Sequence, residues 1–285
     1  MPKILVTGAN GQLASEIKIL SPAYPQYHFL FTTKEELPVE NSEALKSFFR
    51  ENKIDYCINC AAYTAVDKAE SEKEKAFLIN AVAVGELAKI CFAHEAKFIH
   101  ISTDYVYNGS IHQPLKEENP VGPINVYGES KLNGEELALQ NNPSTLIIRT
   151  SWVYSSFGNN FVKTMLRLFR EKNEINVIND QFGSPTYAAD LAEVIMKFID
   201  KGSNFSGIVN YSNSGVTTWY EFAEEIKLLV NSNCKINPIP TSAYPTPAKR
   251  PLYSVLDASK VTELLHLQIP SWKESLKKCV DILKT

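Results

Sequence analysis

The chain lacks most of what would mark a secreted, membrane-bound or nucleic-acid-binding protein. Its net charge is only -3 over 285 residues, which gives no electrostatic reason to expect nucleic acid or an anionic membrane as partner. No apolar run approaches the ~20 residues that span a bilayer. The N-terminus offers one lysine and a very short apolar run before Thr7-Gly8, too brief for a secretory leader. The expectation is a cytoplasmic protein with no nucleic-acid and no membrane partner.

Cysteine is scarce and odd in number, five in all, so no disulfide framework is expected. Cys57 and Cys60 form a C-x-x-C, but they fall in a predicted strand, where positions three apart face opposite sides. No second C-x-x-C or histidine pair completes a zinc set, and the five histidines show no ligand spacing. Internal repeats and low-complexity tracts are also missing.

What is present is an alternation. Apolar runs at Lys3 to Thr7, His28 to Thr32, Tyr56 to Cys60, Phe98 to Ser102 and Thr145 to Thr150 read as strands. Helical spacing fills the gaps at Gly11 to Leu20, Ala44 to Glu51, Lys73 to His94 and from near Tyr127 to Gln140. Such a chain is α/β: a Rossmann-like doubly wound parallel sheet with a smaller C-terminal α/β substrate-binding domain. Residues 1–150 form the expected dinucleotide-binding domain, with a returning segment near 180–205, and 151–285 mainly the substrate domain. There Phe161 to Arg170 and Thr218 to Val230 read as helices, and Ile175 to Ile178 and Ile208 to Tyr211 as strands. Asn237 to Pro251, with five prolines, reads as a loop.

Gly8-Ala9-Asn10-Gly11-Gln12-Leu13-Ala14 follows the first strand and opens the first helix, the context of a dinucleotide fingerprint. Glycine lets the backbone turn tightly and approach a pyrophosphate at the helix N-terminus. An acidic ribose ligand is expected where the second strand ends. That region reads Phe31-Thr32-Thr33-Lys34, with no acid before Glu35. Two hydroxyls and a lysine suit the phosphate of NADP, so NADPH, or use of both NADPH and NADH, is expected.

Tyr127 and Lys131 lie four apart on one predicted helix, one turn from each other. A free phenol has a pKa of about 10. A neighbouring ammonium favours its ionised form, giving a tunable acid aimed at a carbonyl.

Thr7-Gly8-x-x-Gly11 with Tyr127-x-x-x-Lys131 resembles the extended short-chain dehydrogenase/reductases. Longer strings resemble the dTDP-4-dehydrorhamnose reductase branch: Asn59-Cys60-Ala61-Ala62-Tyr63-Thr64-Ala65-Val66-Asp67-Lys68-Ala69-Glu70, Ile101-Ser102-Thr103-Asp104-Tyr105-Val106-Tyr107, Arg149-Thr150-Ser151-Trp152-Val153-Tyr154, Gly158-Asn159-Asn160-Phe161-Val162, Asp180-Gln181-Phe182-Gly183-Ser184-Pro185-Thr186 and Arg250-Pro251-x-x-Ser254. They run in order along nearly the whole chain. The resemblance implies NAD(P)H-dependent reduction of the C4 ketone of a dTDP-4-keto-6-deoxy sugar to dTDP-L-rhamnose, for cell-surface polysaccharide. It implies that Gly8, Gly11, Gln12 and Leu13 contact the cofactor phosphates, and that Ala62, Tyr63 and Thr64 line its ribose side. Tyr127 would protonate the C4 oxygen, Thr103 donate it a hydrogen bond, and Lys131 bind the nicotinamide ribose while holding the Tyr127 pKa down. Thr103, Asp104, Trp152, Asn160 and Arg250 would meet the substrate. Trp152 could equally be core, Arg250 could face solvent, and Asn160 could cap the helix that follows it.

Some members of the family look to share Mg2+ between subunits through acidic residues. Glu16 and Asp190 match two of these positions, but the third falls on Ile282, beside Asp281, so no metal site is expected. A homodimer is open on the same ground. Tyr105 after Asp104, in place of glutamate, favours a reductase over a dehydratase. An NADP-binding regulatory subunit, resembling that of methionine adenosyltransferase, and a reductase of another 4-keto sugar nucleotide remain the alternatives.

Overall fold

The computed structural model describes residues 1–202 and 205–284. Six parallel strands form the central sheet: β1 (Lys3–Thr7), β2 (His28–Thr32), β3 (Tyr56–Asn59), β4 (Lys97–Thr103), β5 (Leu146–Thr150) and β6 (Gly207–Asn210). Their spatial order is β2-β1-β3-β4-β5-β6. Parallel strands need crossovers, which place helices on both faces. Alternate side chains therefore serve two cores. Ile4, Val6, Ile58, Ile99 and Ile148 meet α1 (Gln12–Leu20) on one face. Leu5, Cys57 and Phe98 meet α2 (Ser42–Asn52) and α3 (Ala83–Ala93) on the other. Cys57 and Cys60 accordingly join opposite cores, and all five cysteines are free.

The predicted helix from Lys73 to His94 is interrupted. Lys73–Phe77 is α-helical, Leu78–Val82 is a π turn, and α3 follows. Asn80 explains the break. Its buried amide accepts from the Tyr63 N–H at 2.8 Å and donates to the Tyr63 carbonyl oxygen and Ser130 Oγ, each at 3.0 Å. A π turn lets one residue leave the helix register for such a purpose. Gly134 on α4 (Val126–Asn141) makes room, since a Cβ there would sit 2.0 Å from the Asn80 backbone carbonyl oxygen. Against the expectation that no run is long enough, Lys73–Ala93 is by length and composition apolar enough to span a bilayer, yet 56% of its most apolar window is buried inside this fold.

Beyond β5, α5 (Phe161–Glu171), α6 (Ala188–Asp200), α7 (Trp219–Leu229), α8 (Ser259–Leu265) and α9 (Trp272–Lys284) follow. α6 packs on α1, and the chain returns to the sheet edge as β6. A third core gathers Val162, Met165, Phe222, Ile226, Ile236, Leu276 and Val280. Thr218 and Glu221 close a capping box on α7. The expected loop from Asn237 begins instead inside a strand, Lys235–Ile239, paired in parallel with Glu174–Ile178. Pro238 is tolerated there because this is a two-stranded sheet, where each strand is an edge.

Candidate active site

A cleft of about 680 Å³ opens where the strand order reverses between β1 and β3. Ligands of open α/β sheets bind at such a switch point, outside the carboxyl ends of the strands. Its wall takes residues from the ends of four strands: Gly8 after β1, Ala61 and Ala62 after β3, Thr103 and Asp104 at β4, and Thr150 and Trp152 at β5.

The glycine loop fits a dinucleotide. Gly8 has φ +68°, and a Cβ there would lie 2.8 Å from the Ala61 nitrogen. Only glycine lets the loop take that left-handed turn and press so close. Gly11 N–H closes onto the Gly8 carbonyl oxygen at 2.8 Å. Gly11 is also the N-cap of α1 and supplies no capping side chain, so the first-turn N–H groups are left for an anion. Gln12 and Leu13 line the cleft beside them.

Past the loop, Ala62 and Thr64 line the cleft but Tyr63 does not. The Tyr63 ring is buried against Ala69 and Ala76, and its peptide groups are clamped by Asn80. Tyr63 therefore shapes the loop rather than touching the ribose. At the far end, Thr32 is buried and Thr33 exchanges hydrogen bonds with Glu36. Lys34 alone of that trio lines the cleft, 3.6 Å from Glu40.

Tyr127 and Lys131 both reach the cleft from α4. The expected pairing of the two is not formed. Lys131 Nζ donates to the Ile101 carbonyl oxygen at 2.6 Å and lies 3.2 Å from His100 Nε2. The reason is burial: an ammonium only 2% exposed must find acceptors, and β4 supplies them. Burial lowers the Lys131 pKa to about 8, against the pull of Glu135. The Tyr127 phenol is not held down either. Burial pushes it up to about 12, opposed by the Thr103 hydroxyl and reinforced by the Asp104 charge.

Thr103 Oγ lies 3.0 Å from Asp104 Oδ1 and accepts from the Tyr105 N–H at 3.2 Å. Thr103 Oγ is thus tied to Asp104 within the cleft wall. Asp104 is 2% exposed, and its Oδ2 has no hydrogen-bond partner. Burial raises its pKa to about 7, opposed by the Ser254 and Thr103 hydroxyls.

Trp152 lines the cleft with φ +48°. Its indole stacks on that of Trp219 with centroids 3.6 Å apart and planes 9° from parallel. Gly183 backs the same ring, and a Cβ there would be 2.6 Å from it. Asn160 is drawn away from the expected substrate contact. Its Oδ1 caps α5 through the Lys163 N–H at 3.1 Å, and its Nδ2 donates to Gln12 Oε1 at 2.8 Å. Its neighbour Asn159 takes the place on the cleft wall. Arg250 also stands apart from the cleft. Its guanidinium forks onto Asp67 at 3.0 and 2.8 Å and donates to Thr246 and the Ala248 carbonyl oxygen. Those donors are spent on the loop rather than free for a diphosphate.

Glu16 accepts from Ser155 at 2.6 Å, and Asp190 accepts from Asn213 at 2.7 Å and from Ser275. Burial raises the Glu16 pKa, with the Asp190 charge adding to it. Both carboxylates are satisfied by neutral donors, and no group of three metal ligands occurs among the described residues. Asp281 pairs instead with Lys284. His100 and Asn80 escape any motif; the signal for each was a polar side chain inside an otherwise apolar element.

Residues 2–285 match the family model described as the RmlD substrate binding domain. The chain is 42% identical to the dTDP-4-dehydrorhamnose reductase of Escherichia coli (strain K12), over 99% of this chain and 98% of that one. It superposes with a TM-score of 0.95 on the crystal structure of a dTDP-4-dehydrorhamnose reductase from Clostridium acetobutylicum, at 41% identity over 99% and 100% of the two chains. A dTDP-4-dehydrorhamnose reductase from Bacillus anthracis, in complex with NADP, gives 0.95 at 38% identity over the full length of both.

Proposed function

The chain belongs to the dTDP-4-dehydrorhamnose reductase family, and from that premise we infer that it reduces the C4 ketone of dTDP-4-dehydro-β-L-rhamnose to give dTDP-L-rhamnose. It is an NAD(P)H-dependent oxidoreductase of sugar-nucleotide biosynthesis. We place the reaction in the cytoplasm, where both the nucleotide sugar and the reduced dinucleotide are found. One observation carries the site assignment. A single cleft holds an uncapped helix N-terminus with its glycine loop at one side and Tyr127, Thr103 and Asp104 at the other.

Gly8, Gly11, Gln12 and Leu13 would hold the diphosphate, Ala62 and Thr64 a ribose edge, and Lys34 the adenosine end. Bound there, the reduced nicotinamide supplies the hydride that forms the new C4–H bond. As the C=O electron pair moves onto oxygen, Tyr127 gives that oxygen its hydroxyl proton. Water in the cleft then returns a proton to the phenolate. Lys131, anchored on the Ile101 carbonyl oxygen at the same cleft wall, would bind the nicotinamide ribose with its remaining donors. Trp152, held flat by Trp219, walls the sugar side.

The test is consumption of NADPH or NADH with the 4-keto sugar nucleotide. Tyr127→Phe should lower turnover by roughly 10²–10⁴-fold while NADPH still binds. Absence of turnover together with tight association to another enzyme would reverse the reading in favour of a regulatory subunit. Turnover confined to a different 4-keto sugar nucleotide would keep the chemistry and change the substrate.

A further inference from the structure

We propose that Gln12 is a positioning residue for the sugar nucleotide: its side chain, acting through Asn160, fixes the stretch of cleft wall at Gly158 and Asn159, while its backbone N–H is left for the dinucleotide. The inference rests on the reductase reading above and divides one residue of the glycine loop between the two ligands.

Gln12 and Glu16 are four apart and share one face of α1. Both grip the segment that follows β5. Ser155 Oγ donates to Glu16 Oε1 at 2.6 Å. One turn nearer the cleft, Asn160 Nδ2 donates to Gln12 Oε1 at 2.8 Å, and Gln12 Nε2 donates to the Val153 carbonyl oxygen at 3.5 Å. Both ends of the Gln12 amide are therefore turned to residues 153–160. Its N–H is placed differently. Gln12 is the first residue of α1, and Gly11 brings no capping side chain, so that N–H is one of the donors left open at the helix start.

Asn160 gathers the segment at its other end. The same Nδ2 donates to the Ser155 carbonyl oxygen at 2.7 Å and to that of Phe157 at 3.3 Å. Its Oδ1 caps α5 through the Lys163 N–H. Between these fixed points Gly158 and the exposed Asn159 line the cleft, as do Trp152 and Val153. Gly158 turns there at φ +63°, and a Cβ would lie 3.0 Å from Gln12 Cγ. The wall thus rests on the Gln12 stem as well as on its amide. Asn159 offers the sugar nucleotide an amide with both donors and an acceptor. Shortening Gln12 leaves Glu16 docked on Ser155 and α5 capped, but the Gly158–Asn159 turn loses its contact with α1. A looser wall must be ordered when the ligand seats, which weakens binding.

The experiment compares wild type, Gln12→Ala, Asn159→Ala and the double variant in steady-state kinetics with the 4-keto sugar nucleotide, and titrates NADPH into each protein alone. Gln12→Ala should raise the KM of the sugar nucleotide roughly three- to tenfold, the scale of one lost hydrogen bond, with a smaller change in kcat. Its NADPH Kd should stay within about twofold, because the N–H remains. Asn159→Ala should raise the same KM. The double variant should go no higher than the larger single effect, since both changes act on one contact. Asn160→Ser keeps a capping oxygen for α5 and removes the amide. It should reproduce the KM effect of Gln12→Ala, and it decides the question if Gln12→Ala does not fold, which urea unfolding reports. An unchanged sugar-nucleotide KM in folded Gln12→Ala, or a weakened NADPH Kd there, overturns the proposal and gives the side chain to the cofactor. KM effects that multiply in the double variant overturn it as well. Absence of wild-type turnover is a different outcome, which overturns the reductase reading itself.

Discussion

The Nζ of Lys131 lies 3.2 Å from the Nε2 of His100, the buried end of a polar chain that crosses three strands. His100 Nδ1 faces Asn59 Nδ2 at 3.1 Å, and Asn59 Oδ1 accepts from Thr7 at 2.7 Å. The chain runs from β4 through β3 to β1, just under the glycine loop. Burial and the Lys131 charge hold the His100 pKa well below its ordinary value, so the ring is neutral and can offer one nitrogen as acceptor.

Replacing His100 by Phe keeps a ring beside Phe98 but removes that acceptor and leaves the Asn59 amide unpaired. The expected cost is about 1–3 kcal/mol of stability, measured by urea unfolding. Turnover should fall with little change in the KM of the sugar nucleotide, because Lys131 is then held by the Ile101 carbonyl oxygen alone while the sugar wall is untouched. His100→Gln, which restores an amide acceptor, should recover part of both losses. Unchanged stability and turnover in His100→Phe would dismiss the chain.

Trp152 owes its place to Trp219. A residue at φ +48° is strained unless its surroundings hold it. Here an indole stacked at 3.6 Å does so. Stacked aromatic pairs contribute about 0.5–1.5 kcal/mol beyond area burial. Trp219→Leu should therefore raise the sugar-nucleotide KM by up to about tenfold with a smaller change in kcat. Trp219→Phe should retain most of the affinity. Steady-state kinetics checks both, and equal KM values in all three proteins would show that Trp152 stands without support.

The Asp67–Arg250 fork fastens the proline-rich segment to the start of the helix at Val66–Ala69. The Arg250 guanidinium holds the Asp67 carboxyl below its usual range. Its folded pKa thus lies below the unfolded value, so the contribution is present above about pH 4 and is lost as pH falls through the folded pKa. Asp67 is partly exposed, which limits the pair to about 1 kcal/mol. Asp67→Asn should speed proteolytic cleavage within 241–250 at neutral pH, and acid below about pH 4 should do the same to wild type. Cleavage at equal rates would remove the fork as a fastener.

How much of this was legible beforehand depended on how local the cause was. β1 was read without error because Ile4, Leu5 and Val6 are buried on both faces and glycine ends the run. α6 was missed although Glu193, Lys197 and Asp200 mark an exposed polar face opposite its buried Leu191, Val194, Ile195 and Phe198, because the segment was read only as a return of the chain to the sheet. The Tyr127–Lys131 spacing revealed their shared helix, but the direction Lys131 takes depends on β4, 30 residues away. Arg250 looked free because its partner Asp67 is 183 residues distant. Asn160 was an open choice between cap and ligand; the cap prevailed, and its amide additionally braces Gln12.

Asp104 should also tie stability to pH. Its folded pKa, about 7, stands above the ordinary 3.8. Between those values the folded protein binds more protons than the unfolded chain. The favourable contribution is full below about pH 4 and is lost as pH rises through 7. The size is a few kcal/mol for a group buried this deeply. Urea unfolding at pH 5 and pH 8 should show wild type losing more stability than Asp104→Asn over that interval. Parallel losses would mean that Asp104 is already ionised at pH 5.

Lys34 should decide between the two reduced cofactors. β2 ends at Thr32 without a carboxylate of its own, Glu35 and Glu40 line that end of the cleft beside Lys34, and Thr33 is engaged by Glu36. Lys34 is thus the cation at that end of the cleft, restrained only by an exposed ion pair with Glu40. A charge-assisted bond from such a side chain to the extra phosphate of NADPH is worth about 1 kcal/mol in water. Lys34→Ala should raise the KM for NADPH roughly fivefold and leave that for NADH within about twofold. Glu40→Gln should act in the opposite sense, because it releases Lys34 and removes a negative charge facing the phosphate. Raising ionic strength should shrink both effects, since an exposed pair is screened within a Debye length of about 8–10 Å at ordinary salt. Equal loss with both cofactors would place Lys34 against the shared diphosphate instead.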